Sequence, residues 1–175
     1  MTSHNPEPEF SRPIPVERLG SAEIVETIEA SQAERARLAE RFGIVSLDRF
    51  DTSVRLQRRE GGIVRVSGRF EADVVQNCVV TLEPFPSHIE DGFSADFTQA
   101  AVEPVQDLNL DADYDAPEPI EGGAIDIGEL AAQFLSLALD PHPRSPGAEL
   151  ETSWSDPDAV EPSPFAVLER LKPQS

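Results

Sequence analysis

The sequence predicts an α+β domain, in which an antiparallel sheet, curled in part toward a barrel, packs against two helices. Two patterns support this fold class. Apolar residues recur at helical spacing over residues 21–42 and 127–139, and they alternate with polar residues over 47–74 and 87–98. Since alternation gives each strand one apolar face, we expect the two helices to lie on or beside that face.

The N-terminal helix is expected over about 21–42. Its apolar positions include Ile24, Ile28, Leu38 and Phe42, and Gly43 follows as a C-terminal stop. Glutamates lie near its start and arginines near its end, as the helix dipole favours. The C-terminal helix, over about 127–139, is preceded by "ID" and carries Asp126 and Glu129 as a capping pair; its apolar stripe consists of Leu130, Phe134, Leu137 and Ala138.

A long antiparallel hairpin is expected from Leu47 to Val74, with its turn at "RREGG". The apolar side chains of its two strands share one face. The other face and the turn gather six arginines, which are our candidates for contact with RNA or another partner: Arg49, Arg55, Arg65 and Arg69 on the face, and Arg58 and Arg59 at the turn. The alternative role for these arginines is structural, in cross-strand pairs with Asp51, Glu71 and Asp73.

The boundaries follow from composition. Apolar residues make up 39% of the chain, below the roughly 45 to 50% typical of globular domains, and 16 of its 175 residues are proline. We expect one domain over 10–145 that contains a mobile acidic loop at about 99–124. Residues 1–9 and 146–175 are expected to be loosely ordered tails, with a short helical turn at about 164–171.

The net charge of −19 favours basic protein partners and disfavours nucleic acid and anionic lipid over most of the surface. Residues 41–69 differ, because they carry seven basic and three acidic side chains. No signal peptide or membrane-spanning run is visible, and one cysteine cannot form an internal disulfide. We therefore expect a cytoplasmic protein that does not contact membranes.

Four segments stand out together by their order and spacing: "LAERFGIVSLDRF", "VVQNCVVTLEPF", "IDIGELAAQFLSLALDPHP" and "PFAVLERLK". The last three resemble the YceD-like family of bacterial proteins, and the first resembles the alphaproteobacterial branch of that family. The resemblance spans roughly residues 10–172. It implies a part in the accumulation of 23S ribosomal RNA, no established enzymatic activity, and a gene that often lies beside one for a large-subunit ribosomal protein. The positions that carry the family motif are Cys78, Thr81, Leu82 and Pro84.

Many members of that family carry a Cys-x-x-Cys pair where this chain has Cys78 and Thr81. A structural zinc site needs four Cys or His ligands, and the chain offers only Cys78 with His4, His88 and His142. We therefore expect no metal and no cofactor. Because no Lys or Arg occurs between Arg69 and Arg144 to hold a thiolate, Cys78 is interpreted as a small buried side chain in a strand, not a nucleophile.

The resemblance implies a non-enzymatic adaptor in large-subunit biogenesis, which binds a ribosomal protein, ribosomal RNA precursor, or both. The arginine face indicates RNA, whereas the acidic stretches indicate a basic ribosomal protein, which we favour. Two alternatives stay open: an acidic interaction module with no RNA role, and an RNA-processing enzyme whose clustered acids hold Mg²⁺. The sequence does not give the oligomeric state.

Overall fold

The α+β class is confirmed in the computed structural model, which describes residues 8–20, 22–99 and 117–149. Within these ranges the chain forms seven strands and two α-helices. The strands are β1 Pro13–Pro15, β2 Ile24–Glu29, β3 Ser46–Arg58, β4 Ile63–Asn77, β5 Pro84–Thr98, β6 Glu118–Pro119 and β7 Ala124–Asp126; the helices are α1 Gln32–Phe42 and α2 Ile127–Ala138. Neither of these helices is long and apolar enough to cross a membrane.

The main sheet has the strand order β2-β3-β4-β5-β6, and its pairs are antiparallel except for β5 with β6. The predicted hairpin is β3 with β4, paired from Ser46 opposite Val75 to Arg58 opposite Val64. The expected curling does not close a barrel, because within the described ranges β2 and β6 remain the two edges of the sheet. A separate pair of short strands, β1 and β7, completes the architecture.

The N-terminal helix was predicted too long, since it begins at Gln32 and the preceding segment is strand β2. Ile24 and Ile28 are four residues apart, which suits one face of a helix and equally one face of a strand. The true helix start has a capping box, in which the Ser31 hydroxyl accepts from the Glu34 N–H and the Glu34 carboxylate accepts from the Ser31 N–H. That Ser-x-x-Glu signal was present in the sequence.

The predicted loop at 99–124 is partly strand, because β6 and the first residue of β7 lie within it. Ile120 donates its N–H to the Thr98 carbonyl at 2.9 Å, which continues the contact of this segment with β5. Residues 100–116 lie outside the described ranges, as do the tails over 1–7 and 150–175 with the expected helical turn at 164–171.

A chain of phenylalanine rings runs through the core beneath the sheet. Ring centroids lie 5.5 Å apart for Phe10 and Phe50, 6.0 Å for Phe50 and Phe70, 6.4 Å for Phe70 and Phe93, and 4.8 Å for Phe93 and Phe134. The rings join the N-terminal segment, three strands and α2. Since burying one such side chain contributes about 1.5 to 3 kcal/mol, this row fixes α2 against the inner face of the sheet.

The start of α2 is held by Asp126. One of its carboxylate oxygens accepts from the N–H groups of Arg12 at 2.7 Å, and of Gly128 and Glu129 at 3.1 Å each; the other accepts from the Ser11 hydroxyl. The Asp126 cap is thus confirmed, whereas the Glu129 side chain turns instead to Arg41, at 2.8 and 2.9 Å. The Asp126 carboxylate therefore joins α2 to the N-terminal segment.

A second ion pair joins that segment to α1. The Arg12 guanidinium donates to both carboxylate oxygens of Glu34, at 2.7 and 3.1 Å. These hydrogen bonds lower the pKa of Glu34 to about 2. The same carboxylate completes the capping box, so α1, the N-terminal segment and α2 form one connected layer under the sheet.

Candidate functional site

The face of β2 to β5 that points away from the core, here called the outer face, is not covered by any element that the structure describes. Its side chains alternate with buried ones such as Phe50, Val54 and Val66, so the predicted two-residue period is confirmed. The outer face carries four of the six candidate arginines, as the alternation predicts. Its charged members are Glu29, Arg49, Asp51, Arg55, Arg65, Arg69, Glu71, Asp73, Glu90 and Asp96, with His88 beside Asp73.

Four carboxylates lie directly opposite one another across four strands. Glu29 pairs with Asp51, Asp51 with Glu71, and Glu71 with Glu90. At about 4.8 Å between strands this carboxylate row is roughly 14 Å long. Arg49 binds Asp51 and also Glu71, the latter at 3.0 Å. Because like charges opposite each other destabilise a sheet, one guanidinium among four carboxylates leaves an unbalanced negative row.

Two of the candidate arginines are paired in the way that the structural alternative required. Arg49 is held by the carboxylate row. Arg65 donates to both oxygens of Asp96, its cross-strand partner on β5, at 2.8 and 2.6 Å. This contact lowers the pKa of Asp96. Both arginines are therefore engaged within the sheet.

The two arginines at the turn are placed as expected, at the end of the β3–β4 hairpin. Arg58 donates to the carbonyl of Val16 at 3.3 Å. Arg59 closes the turn through its backbone N–H, which donates to the Ile63 carbonyl at 2.7 Å, and its charge also lowers the pKa of Asp96. Arg58 is thus engaged with the N-terminal segment, and Arg59 lies near enough to Asp96 to act on an outer-face carboxylate.

The remaining two arginines, Arg55 and Arg69, are exposed and form no hydrogen bond or ion pair with any residue in the described ranges. With Ser53, Ser67 and Gly68 they line a shallow depression of about 360 Å³ on the outer face. We call Arg55 and Arg69 the arginine pair. They are the part of the predicted arginine face that stays available to a ligand.

Cys78 is fully buried, as expected, but it follows β4 instead of lying within a strand. Hydrogen bonds from Ser145 and from Thr81 lower the pKa of Cys78 to about 6; the Thr81 N–H lies 3.4 Å from Sγ. Ser145 was not predicted as a partner of Cys78, because the expectation considered only a cation near the thiol. A neutral hydroxyl far along the chain gives no signal in the sequence.

The family-motif positions build the turn between β4 and β5. The Cys78 N–H donates to the Glu83 carbonyl, and the Leu82 N–H to the Cys78 carbonyl, each at 2.9 Å. Leu82 has a left-handed φ of 61° and a side chain that is 78% exposed, and Pro84 begins β5. No group of three His, Cys, Asp or Glu side chains that could hold a metal ion occurs within residues 8–20, 22–99 and 117–149.

Fold and site together define a small α+β protein whose sheet presents one uncovered, charged face. A model of the family described as large ribosomal RNA subunit accumulation protein YceD matches residues 66–172. The chain belongs to this family, which confirms the resemblance over its C-terminal two thirds and indicates a role in the accumulation of large-subunit ribosomal RNA. The match begins within β4 and includes the motif turn and α2. No curated protein and no solved structure matches the chain.

Proposed function

We propose that the protein is a cytoplasmic, non-enzymatic adaptor that supports accumulation of large-subunit ribosomal RNA by binding a basic ribosomal protein on its outer face. The observation that carries this proposal is the carboxylate row on an uncovered sheet. The family supplies the process in which such a partner is found.

The electrostatics of the row support a cationic partner. Each directly opposed pair of like charges disfavours the sheet by about 0.2 to 1 kcal/mol, and the row contains three such pairs. Among the described residues, Arg49 alone forms ion pairs with the row. A partner that places Lys or Arg side chains over the row removes this repulsion on binding. The overall charge of −19 also raises the rate of encounter with a basic protein at low ionic strength.

An open face suits an adaptor better than it suits an enzyme. Catalytic groups act most strongly where water is excluded and reacting atoms are held between side chains. The charged residues of the outer face instead lie on an exposed sheet surface, where a second macromolecule can contact many of them at once. The proposal therefore assigns them to binding, with no chemical step.

Affinity capture from cells at moderate salt, with and without ribonuclease, tests the proposal. We expect a basic ribosomal protein to be retained after ribonuclease treatment. Loss of every partner with the RNA would contradict a protein-binding adaptor.

Two matched variants sharpen the test. The carboxylate variant carries Glu29→Gln, Glu71→Gln and Glu90→Gln. The control variant changes three exposed glutamates outside the carboxylate row and alters the net charge equally: Glu23→Gln, Glu40→Gln and Glu60→Gln. We expect capture of the ribosomal protein to fall with the carboxylate variant and to persist with the control variant. An equal fall in capture with both variants would show that bulk charge, and not the carboxylate row, is responsible for binding.

A further inference from the structure

The arginine pair differs from the other two arginines of the outer face, Arg49 and Arg65, in having no hydrogen bond or ion pair with any described residue. Carboxylates are abundant on the same face, and they engage Arg49 and Arg65. Arg55 and Arg69 lie opposite serines instead: Arg55 pairs with Ser67, and Ser53 with Arg69. Two cationic side chains with hydroxyls opposite them, and with no carboxylate bound to them among the described residues, offer charge and donors that suit an anion.

The register brings the four side chains around one point. In antiparallel pairing, opposite residues lie about 4.5 to 5.5 Å apart, and diagonal ones about 7 to 8 Å apart. Arg55 and Arg69 are such a diagonal pair, and both line the depression of about 360 Å³ together with Ser53 and Ser67. Long guanidinium side chains rooted at that separation reach a common centre, and the hydroxyls add further donors.

We infer that Arg55, Arg69, Ser53 and Ser67 form a binding site for one phosphate group of an RNA backbone. Guanidinium and hydroxyl donors are the groups that most often contact nucleic-acid phosphates. The inference rests on the proposed function only for the choice of RNA as the source of the phosphate. An acidic peptide is the competing ligand, and the experiment below separates the two.

The surroundings limit what this site does. The carboxylate row crosses β3 at Asp51, two residues before Ser53, and repels a second phosphate on that side. No Phe, Tyr or Trp side chain lies on the outer face of β2 to β5 to stack on a base. The site therefore fixes the position of an RNA backbone without reading its sequence, next to the surface assigned to the ribosomal protein.

The number of phosphates neutralised sets the salt dependence. For a single-stranded RNA the slope of log K against log salt is about −0.7 per neutralised phosphate, so one phosphate held by Arg55 and Arg69 should give a slope of about −0.7. Six arginines that each neutralise a separate phosphate would give a slope of about −4 on the same basis. The measured slope thus counts the phosphates that the protein neutralises.

The experiment is a titration of the full-length chain against a fluorescent, unstructured RNA of about 20 nucleotides, by anisotropy, from about 20 to 150 mM salt. The test variant is R55Q/R69Q. The matched control, R18Q/R37Q, removes two exposed arginines from elsewhere and changes the net charge equally. A third variant, R55K/R69K, keeps the charge but removes the forked donor geometry.

We expect R55Q/R69Q to bind at least about tenfold more weakly at low salt and to lose most of the slope. The control should stay within about threefold of the native protein, and the lysine variant should keep the slope with weaker binding. Circular dichroism should show unchanged folding, since Arg55 and Arg69 make no contact that the fold needs. A native protein without RNA affinity, equal loss in both glutamine variants, or tighter binding to a poly-glutamate peptide than to RNA would overturn the inference.

These outcomes are separable from those of the adaptor proposal. If the phosphate site is wrong, R55Q/R69Q still captures the ribosomal protein and RNA binding is unchanged. If the adaptor proposal is wrong, capture fails for the native chain while RNA anisotropy still distinguishes the two glutamine variants.

Discussion

Replacing Gly128 with alanine tests the junction that seats α2. A Cβ atom at this position would lie 2.6 Å from the carbonyl oxygen of Phe10 and 3.0 Å from the backbone nitrogen of Arg12. Both neighbours are backbone atoms, so no side-chain rotation relieves the overlap. Moving the N-terminal segment outward would also break the hydrogen bond from the Arg12 N–H to Asp126.

The size of the effect follows from two opposing terms. Alanine in place of glycine favours a helix by up to about 1 kcal/mol. Overpacking costs about 1 to 3 kcal/mol, and disturbing two or more hydrogen bonds of the Asp126 cap costs about 1 kcal/mol each. We therefore expect Gly128→Ala to lower the free energy of unfolding by about 2 to 4 kcal/mol in total.

Urea unfolding followed by circular dichroism measures this change. The midpoint should fall while the slope with denaturant stays constant, because the surface exposed on unfolding is the same. Gly20→Ala is the matched control, since a Cβ atom there would meet nothing within 4 Å; it should change stability by less than about 0.5 kcal/mol. A Gly128→Ala protein as stable as the native one would refute the close packing of α2 on the N-terminal segment.

Three further outcomes follow from buried or paired groups. Thr52→Val should stabilise the fold by about 0.5 to 1 kcal/mol in urea unfolding, because the Thr52 hydroxyl is buried without a hydrogen-bond partner in the described structure; a loss of stability would indicate a hidden partner. Arg12 lowers the pKa of Glu34 to about 2. The stabilisation of the fold by this ion pair is therefore complete above the ordinary pKa of 4.5 and is lost as pH falls toward 2. After allowance for partial exposure of the pair, Glu34→Gln should cost about 1 to 2 kcal/mol at neutral pH and progressively less below pH about 4.5; a pH-independent difference would contradict the pairing. Cys78 should react with a thiol reagent on the order of 100-fold more slowly in the native than in the urea-unfolded protein, and similar rates would contradict its burial.

The sequence was most informative where structure depends on local periodicity. The β3–β4 hairpin was predicted because alternation over many residues admits only one face for Phe50, Val54 and Val66. Strand β2 was missed because it is only six residues long, and four-residue spacing of Ile24 and Ile28 does not distinguish a strand from a helix. In short segments the cap at the following helix is the better signal.

The candidate site depended on information that the sequence does not carry. Alternation places Arg55 and Arg65 on one face, but only the register of β5 shows that Arg65 meets Asp96. The registers of β2 and β4 place Val25 and Ser67, and no acid, directly opposite Arg55. The carboxylate row likewise needs the registers of three strand pairs at once. Local patterns therefore identified the face, whereas the pairing that divides it into engaged and available charges came from tertiary structure.

The claim that the carboxylate row serves ribosomal RNA accumulation is tested most directly in cells. The measurement is the ratio of large-subunit to small-subunit ribosomal RNA when the native gene is replaced by the carboxylate variant or by the control variant, at equal protein levels. We expect the carboxylate variant to lower the ratio toward that of cells lacking the protein, and the control variant to keep it at the native value. A native ratio with the carboxylate variant would contradict the assignment of this face.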